Sequence, residues 1–119
     1  MKTNTSLFDN IKPTVRLSIA NPENGSHSEF GRGVAQLCLG VQELGSLNAA
    51  AKSMGMAYSK AWRIVKETEA TLGFALLNRD GAHGSELTPE GAKLIAAYSK
   101  LEAKLQKDAD NQLAKLLAK

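Results

Sequence analysis

Cysteine is all but missing from this sequence: Cys38 is the only one in 119 residues. One thiol closes no internal disulfide, and its apolar helical setting (Val34, Leu37, Cys38, Val41) marks a small core residue in a reducing compartment. Histidine is nearly as scarce. His27 and His83 are scattered and form no metal-binding pattern, so no metal and no cofactor is expected. No apolar run approaches the ~20 residues of a membrane span, and MKTNTSLFDN lacks the apolar centre of a signal peptide, so a cytoplasmic protein with no membrane partner is expected. Net charge is also modest, at +3, so the clustering of cations says more than their sum. Catalytic patterns are lacking. Ser59 has no His and acid nearby, Glu67 and Glu69 read as helix-surface charges, and the glycines at Gly81 and Gly84 lack the lysine of a phosphate loop. No enzyme is expected.

What is present is a stretch around which the chain is organised, Gly45 to Gly73, GSLNAAAKSMGMAYSKAWRIVKETEATLG. Ser46 suits the cap of a first helix with Leu47, Ala50, Ala51 and Met54 on one face. Gly55 supplies the turn. A second helix starts near Ala57 or Ser59, with Ala61, Ile64, Val65, Thr68 and Leu72 inward. Ala51, four residues before the turn glycine, is small enough for two helices to cross closely. This is the spacing of a DNA-binding helix-turn-helix. Lys52, Lys60, Arg63 and Lys66 all fall between Ser46 and Lys66, with no acid among them.

The rest of the chain frames this unit. PTVRLSIA, Pro13 to Ala20, alternates as a half-buried strand should, with Val15, Leu17 and Ile19 on one face. Asn21 to Gly33 is rich in turn residues, with Phe30 as its anchor, and no role is assigned to it. Gly33 to Leu44 is a helix stopped by Gly45. Phe74 to Arg79 and Glu86 to Thr88 are two short strands around a glycine-bearing tip, the β-ribbon of a wing. Thr88 caps a last helix, with Pro89 in its first position and Glu90 in its first turn.

That last helix runs nearly to Lys119, uninterrupted by proline or, after Gly91, by glycine. Its apolar stripe, Leu94, Tyr98, Leu101, Leu105, Ala109, Leu113 and Leu116, steps mostly by four and departs from a strict heptad. The stripe is longer than a small domain can cover, which calls for a partner helix and a homodimer. The expected organisation is a flexible segment over 1–12, a winged helix-turn-helix over 13–88 and a dimerisation helix over 89–119. The fold class is mainly α with a small β component and an N-terminal strand.

Taken in order, GSLNAAAKSMGMAYSKAW (Gly45 to Trp62), LGFALLNR (Leu72 to Arg79) and LTPEG (Leu87 to Gly91) resemble the DNA-binding domain of the ModE family, the bacterial molybdate-responsive regulators. More distantly, they are similar to the N-terminal domain of LysR-type regulators. The resemblance covers about Pro13 to Leu105. It implies a winged helix-turn-helix, a transcription regulator, double-stranded DNA as partner, and AYSKAW at the head of the recognition helix. Full-length ModE-type regulators also carry C-terminal molybdate-binding modules. The sequence up to Lys119 leaves no room for one, so the resemblance does not imply molybdate sensing. The wing is shorter than many in the family, which leaves its contact with the minor groove open.

The residues expected at DNA are Ser46, Lys52, Tyr58, Ser59, Lys60, Arg63, Lys66, Arg79 and His83. Arg63 is the expected base reader, because its fork matches guanine O6 and N7; Lys60 and Lys66 are expected on phosphates. Lys52 is either a backbone contact or a solvent-facing charge. Arg79 and His83 flank or sit on the wing, where a minor-groove contact and a plain loop are equally open. Trp62 lies beside the buried stripe, and its large surface favours packing over DNA contact. The rival reading is a winged-helix module that binds a protein partner. The acid-free basic face argues against it, since such a module would more often show apolar residues there. A small-molecule effector is left unassigned.

Overall fold

A computed structural model describes residues 7–24, 29–79 and 84–118, with the backbone alone at residue 79. Among these residues are four α-helices and one two-stranded sheet: α1 (Arg32–Leu44), α2 (Leu47–Ser53), α3 (Tyr58–Leu72), β1 (Leu77–Arg79), β2 (Ser85–Leu87) and α4 (Pro89–Leu117). A short 3-10 turn, Pro22–Asn24, precedes them.

The core forms where the apolar faces of the first three helices meet the base of the wing and the start of α4. Leu37, Leu47, Ala61, Val65 and Leu76 are fully enclosed there, with Ile95 from α4 beside them. Cys38 lies in the same core, and burial, reinforced by the negative charge of Glu69, pushes its thiol up to about 12, so it stays protonated and unreactive at neutral pH. Ala50 and Ala51 are both buried. The close approach expected at Ala51 extends to Ala50, which packs onto α1 at Gly40. A Cβ on Gly40 would fall 2.6 Å from that of Ala50, so only glycine lets α1 and α2 come this near.

The helix-turn-helix follows local chemistry. Ser46 Oγ accepts the Ala49 amide at 3.0 Å and opens α2. The chain turns at Gly55, where the Met56 amide donates back to the Ala51 carbonyl at 2.9 Å. The inner face of α3 is Ala61, Val65, Thr68 and Thr71, with Ile64 and Leu72 half-buried. Thr71 is a fourth fully buried position that the apolar pattern does not reveal. Thr68 and Thr71 can be buried because their hydroxyls donate to the carbonyls of Ile64 and Glu67, one turn back.

Two strand expectations are corrected. The first strand of the wing is Leu77–Arg79, not Phe74 to Arg79, and it pairs antiparallel with Ser85–Leu87 in the register Leu77↔Leu87, Asn78↔Glu86 and Arg79↔Ser85. Before Leu77 the backbone is held by side chains. One carboxylate oxygen of Glu69 accepts the amides of Leu76 at 2.7 Å and Leu77 at 3.2 Å. Thr88 is the cap of α4 rather than part of the return strand. Its Oγ1 accepts the Gly91 amide at 2.8 Å while donating to the Ala75 carbonyl at 2.7 Å. Gly91 fits tightly, because a Cβ there would sit 2.4 Å from the Leu76 carbonyl oxygen. The LTPEG sequence thus ties α4 to the wing.

Glu69 is therefore not a plain surface charge. Hydrogen bonds to an ionised acceptor contribute about 1.5–3 kcal/mol each. Glu69→Ala is expected to cost roughly 2–4 kcal/mol in urea unfolding, and Glu69→Gln, which keeps a neutral acceptor, about half as much. A loss below about 0.5 kcal/mol for Glu69→Ala would show that the carboxylate does not hold the wing.

The second correction concerns the N-terminal strand. Residues 13–20 are extended and alternate in burial, but among the described residues their one strand-type pairing is the single bridge Ile19↔Phe30. Three further backbone groups bond to α4. Gln106 accepts the Val15 amide at 3.0 Å and donates to the Pro13 carbonyl at 2.8 Å, and the Tyr98 hydroxyl donates to the Leu17 carbonyl at 2.8 Å. The segment is a strap laid along a helix. Phe30 anchors its far end, edge-on to the Tyr98 ring at 5.2 Å between centroids.

The apolar stripe of α4 is unevenly covered. Tyr98 is buried and Leu94, Ala109 and Leu113 are half-covered, whereas Leu101, Leu105 and Leu116 stay exposed. Leu113 is thus set apart from the uncovered leucines: it lines a groove of about 420 Å³ with Phe8, Ile11 and Pro13. Ile95, absent from the expected stripe, is nearly fully buried. The molecule measures 64 × 33 × 22 Å, because the distal half of α4 projects from the core.

Candidate nucleic-acid interface

The outer face of α3 carries most of the expected contact residues. Tyr58, Ser59, Lys60, Arg63 and Lys66 are all exposed on this helix, while its opposite face is locked into the core. Tyr58, Ser59, Trp62, Arg63 and Lys66 line one open groove of about 470 Å³. The grouping follows from helical spacing: Tyr58, Trp62 and Lys66 recur every four residues, and Ser59 and Arg63 form the adjacent row.

Trp62 does more than pack. It is half-buried against the core, yet it also builds this surface. Its indole N–H donates to the Tyr58 hydroxyl oxygen, and the two rings meet edge-on at 6.3 Å. The Lys66 ammonium stands over the indole at 5.6 Å. Lys66 also reaches the Glu69 carboxylate at 3.9 Å, a loose pair whose lysine is largely exposed. Its charge is shared, whereas Lys60 and Arg63 precede the first acids of the helix, Glu67 and Glu69. Lys60 and Arg63 thus lie in the first two turns of α3, and no side chain caps the helix at Ala57. First-turn amides and cations at one place suit phosphate.

Ser46 is half-buried, and its hydroxyl oxygen is already used as the cap of α2. Lys52 is exposed in the last turn of α2. The side chain of Arg79 and the whole of His83 lie outside the described residues, as do most of the wing tip, His27, and the start of the segment expected to be flexible.

Asn24 is a supporting residue that the sequence did not mark. From the loop after the strap, its side-chain amide donates to the carbonyls of Ala70 and Thr71, in the last turn of α3. It satisfies groups that a helix end leaves unpaired and so fastens the far end of the groove helix. An asparagine in a turn-rich loop carries no signal of this partner, 46 residues away in sequence.

Among the described residues, no three His, Cys, Asp or Glu side chains are grouped to hold a metal, and no helix is long and apolar enough to cross a membrane.

Comparison with known proteins gives the arrangement its context. Residues 35–92 match the family described as bacterial regulatory helix-turn-helix protein, lysR family. Over 75 residues the chain is 35% identical to the molybdenum-pterin-binding protein MopB of Rhodobacter capsulatus, a match that covers 60% of this chain and 28% of that protein. The fold is similar to CbnR_DBD in the crystal structure of a CbnR_DBD–DNA complex, with a TM-score of 0.60 and 26% identity over 71% of this chain and 95% of that one. The matched residues take in all of α2, α3 and the wing. They form a ModE-like winged-helix DNA-binding domain, similar also to those of the LysR-type regulators.

Proposed function

We propose that the chain is a sequence-specific regulator of transcription that binds double-stranded DNA as a homodimer, with α3 in the major groove. The observation that carries this reading is the outer face of α3: three cations, a tyrosine and a serine on a helix whose other face is immobilised by the core. A rigid cationic helix behind a tight turn is what groove readout needs, since affinity comes from phosphates and specificity from base edges. The lysR-family match and the DNA in the CbnR_DBD complex support it.

Arg63 is assigned to a base, most simply guanine, and Lys60 and Lys66 to phosphates. Lys52 adds a backbone contact from α2, and Ser46, Tyr58 and Ser59 border the same surface. Arg79 and His83 are assigned to the flank of the site through the wing. The distal half of α4 is assigned to dimerisation. Regulation rather than catalysis is the role that the family match supports.

Two variants test the division of labour. Arg63→Ala is expected to cost about 1–3 kcal/mol on the preferred site and to relax preference at one position of each half-site. Lys66→Ala is expected to weaken all sequences alike. The preferred site is found by selecting from a random DNA pool, and affinities are then measured on that site and on random DNA. Equal losses on both DNAs for both variants would overturn these roles.

A further inference from the structure

The polarity of the contact between Trp62 and Tyr58 has a consequence for what α3 can read. An indole N–H only donates, so the Tyr58 hydroxyl oxygen is the acceptor in this bond. Its own hydrogen is then directed elsewhere, and accepting a hydrogen bond strengthens a hydroxyl as a donor. Tyr58 is 42% exposed, stands in the first turn of α3 and lines the groove beside Ser59, Trp62 and Arg63. Residues at the start of a recognition helix are the ones that meet base edges.

We infer that Tyr58 is a specificity-determining residue that donates its hydroxyl hydrogen to an acceptor on a base edge in the major groove, with Trp62 as the positioning residue that holds it in donor polarity. This rests on the proposed reading of DNA by α3. The chemistry limits the partner. Guanine presents N7 and O6, adenine N7 and thymine O4, whereas cytosine presents only its N4 amino donor to this groove. The base opposite Tyr58 is therefore a purine or thymine, and cytosine is rejected because its donor would face another donor.

Selection from a randomised DNA pool with the parent, Tyr58→Phe and Trp62→Phe tests this. The parent is expected to exclude cytosine at one position of each half-site. Tyr58→Phe removes only the hydroxyl; it is expected to readmit cytosine at that position, leave the other positions unchanged, and lower affinity for the preferred site about three- to tenfold, the worth of one hydrogen bond. Trp62→Phe frees the hydroxyl oxygen to accept, and is expected to readmit cytosine at the same position. An unchanged profile for Tyr58→Phe overturns the inference. An equal loss on preferred and random DNA also overturns it, by placing the hydroxyl on a phosphate. A parent with no preference at any position overturns the proposed function itself, whereas a selective parent with an indifferent Tyr58→Phe overturns this inference alone.

Discussion

The parent is expected to sediment as a dimer, and Leu101→Glu combined with Leu105→Glu as a monomer at the same concentration. The argument is one of surface. Leu101 and Leu105 keep 43% and 37% of their surface in water, and Leu116 keeps 66%, all on the helix that projects from the core. Fully burying a leucine is worth roughly 1.5–3 kcal/mol, so covering what remains exposed contributes on the order of 1 kcal/mol per leucine in each chain. A two-fold pair doubles every such contact, and two-fold pairs are the commonest closed assembly. Carboxylates at two central positions remove the gain and place like charges across the axis.

The same substitution is expected to act at a distance on DNA. Two linked recognition helices make the second binding event intramolecular, which is worth roughly 10²–10⁴ in affinity. The monomer is expected to lose about that factor on a pseudo-palindromic site whose half-sites lie about one helical turn, or a small multiple, apart. Folding is monitored by circular dichroism, because Leu101 and Leu105 lie outside the buried core and their replacement is expected to leave helicity intact. A variant that keeps the parent's mass and its DNA affinity would remove α4 from the dimer seam.

Salt is expected to have the second large effect. Four cations lie on α2 and α3 without an intervening acid, so the contact surface is more strongly charged than the chain as a whole, whose net charge is +3. With about three to five phosphates neutralised per protomer, log K falls by about 0.9 per contact for each unit of log salt. For the proposed dimer that is a slope of roughly −5 to −9, or about 10³–10⁵ in affinity between 50 and 200 mM salt. Titrations across that range measure it directly. The Lys66→Ala slope adds a finer reading. Lys66 shares its charge with Glu69 and the Trp62 ring, so its removal is expected to flatten the slope less than removal of Lys60. An affinity indifferent to salt would contradict the electrostatic surface assigned to α3.

Much of this architecture was legible in the sequence because it is set by neighbours in the chain. The caps Ser46 and Thr88, the stop at Gly45 and most of the inward face of α3 depend on residues within one or two turns. Local hydrogen bonds and helical periodicity suffice to read them. The groove residues Tyr58, Ser59, Arg63 and Lys66 share a face for the same reason: spacing along one helix determines it.

Only the tertiary structure decided the features that join distant segments. Residues 13–20 alternate as a strand would, but alternation reports which side is buried and not what supplies the hydrogen bonds. Here Gln106 and Tyr98 of α4, 91 and 81 residues away, supply those of Val15 and Leu17, and Phe30 those of Ile19. On the same helix Leu113 is half-covered beside Phe8, Ile11 and Pro13 while Leu101, Leu105 and Leu116 stay open, a division no helical pattern contains because it depends on where another segment lies. Glu69, two residues from an equally charged Glu67, is likewise set apart by a backbone that folds back onto it. Trp62 is the sharpest case. Its spacing placed it beside the core, and only the position of the Tyr58 hydroxyl made its N–H part of the exposed face of α3. A side chain's neighbours along a helix are fixed by its period, whereas its partners across the fold depend on which surfaces meet when the core closes.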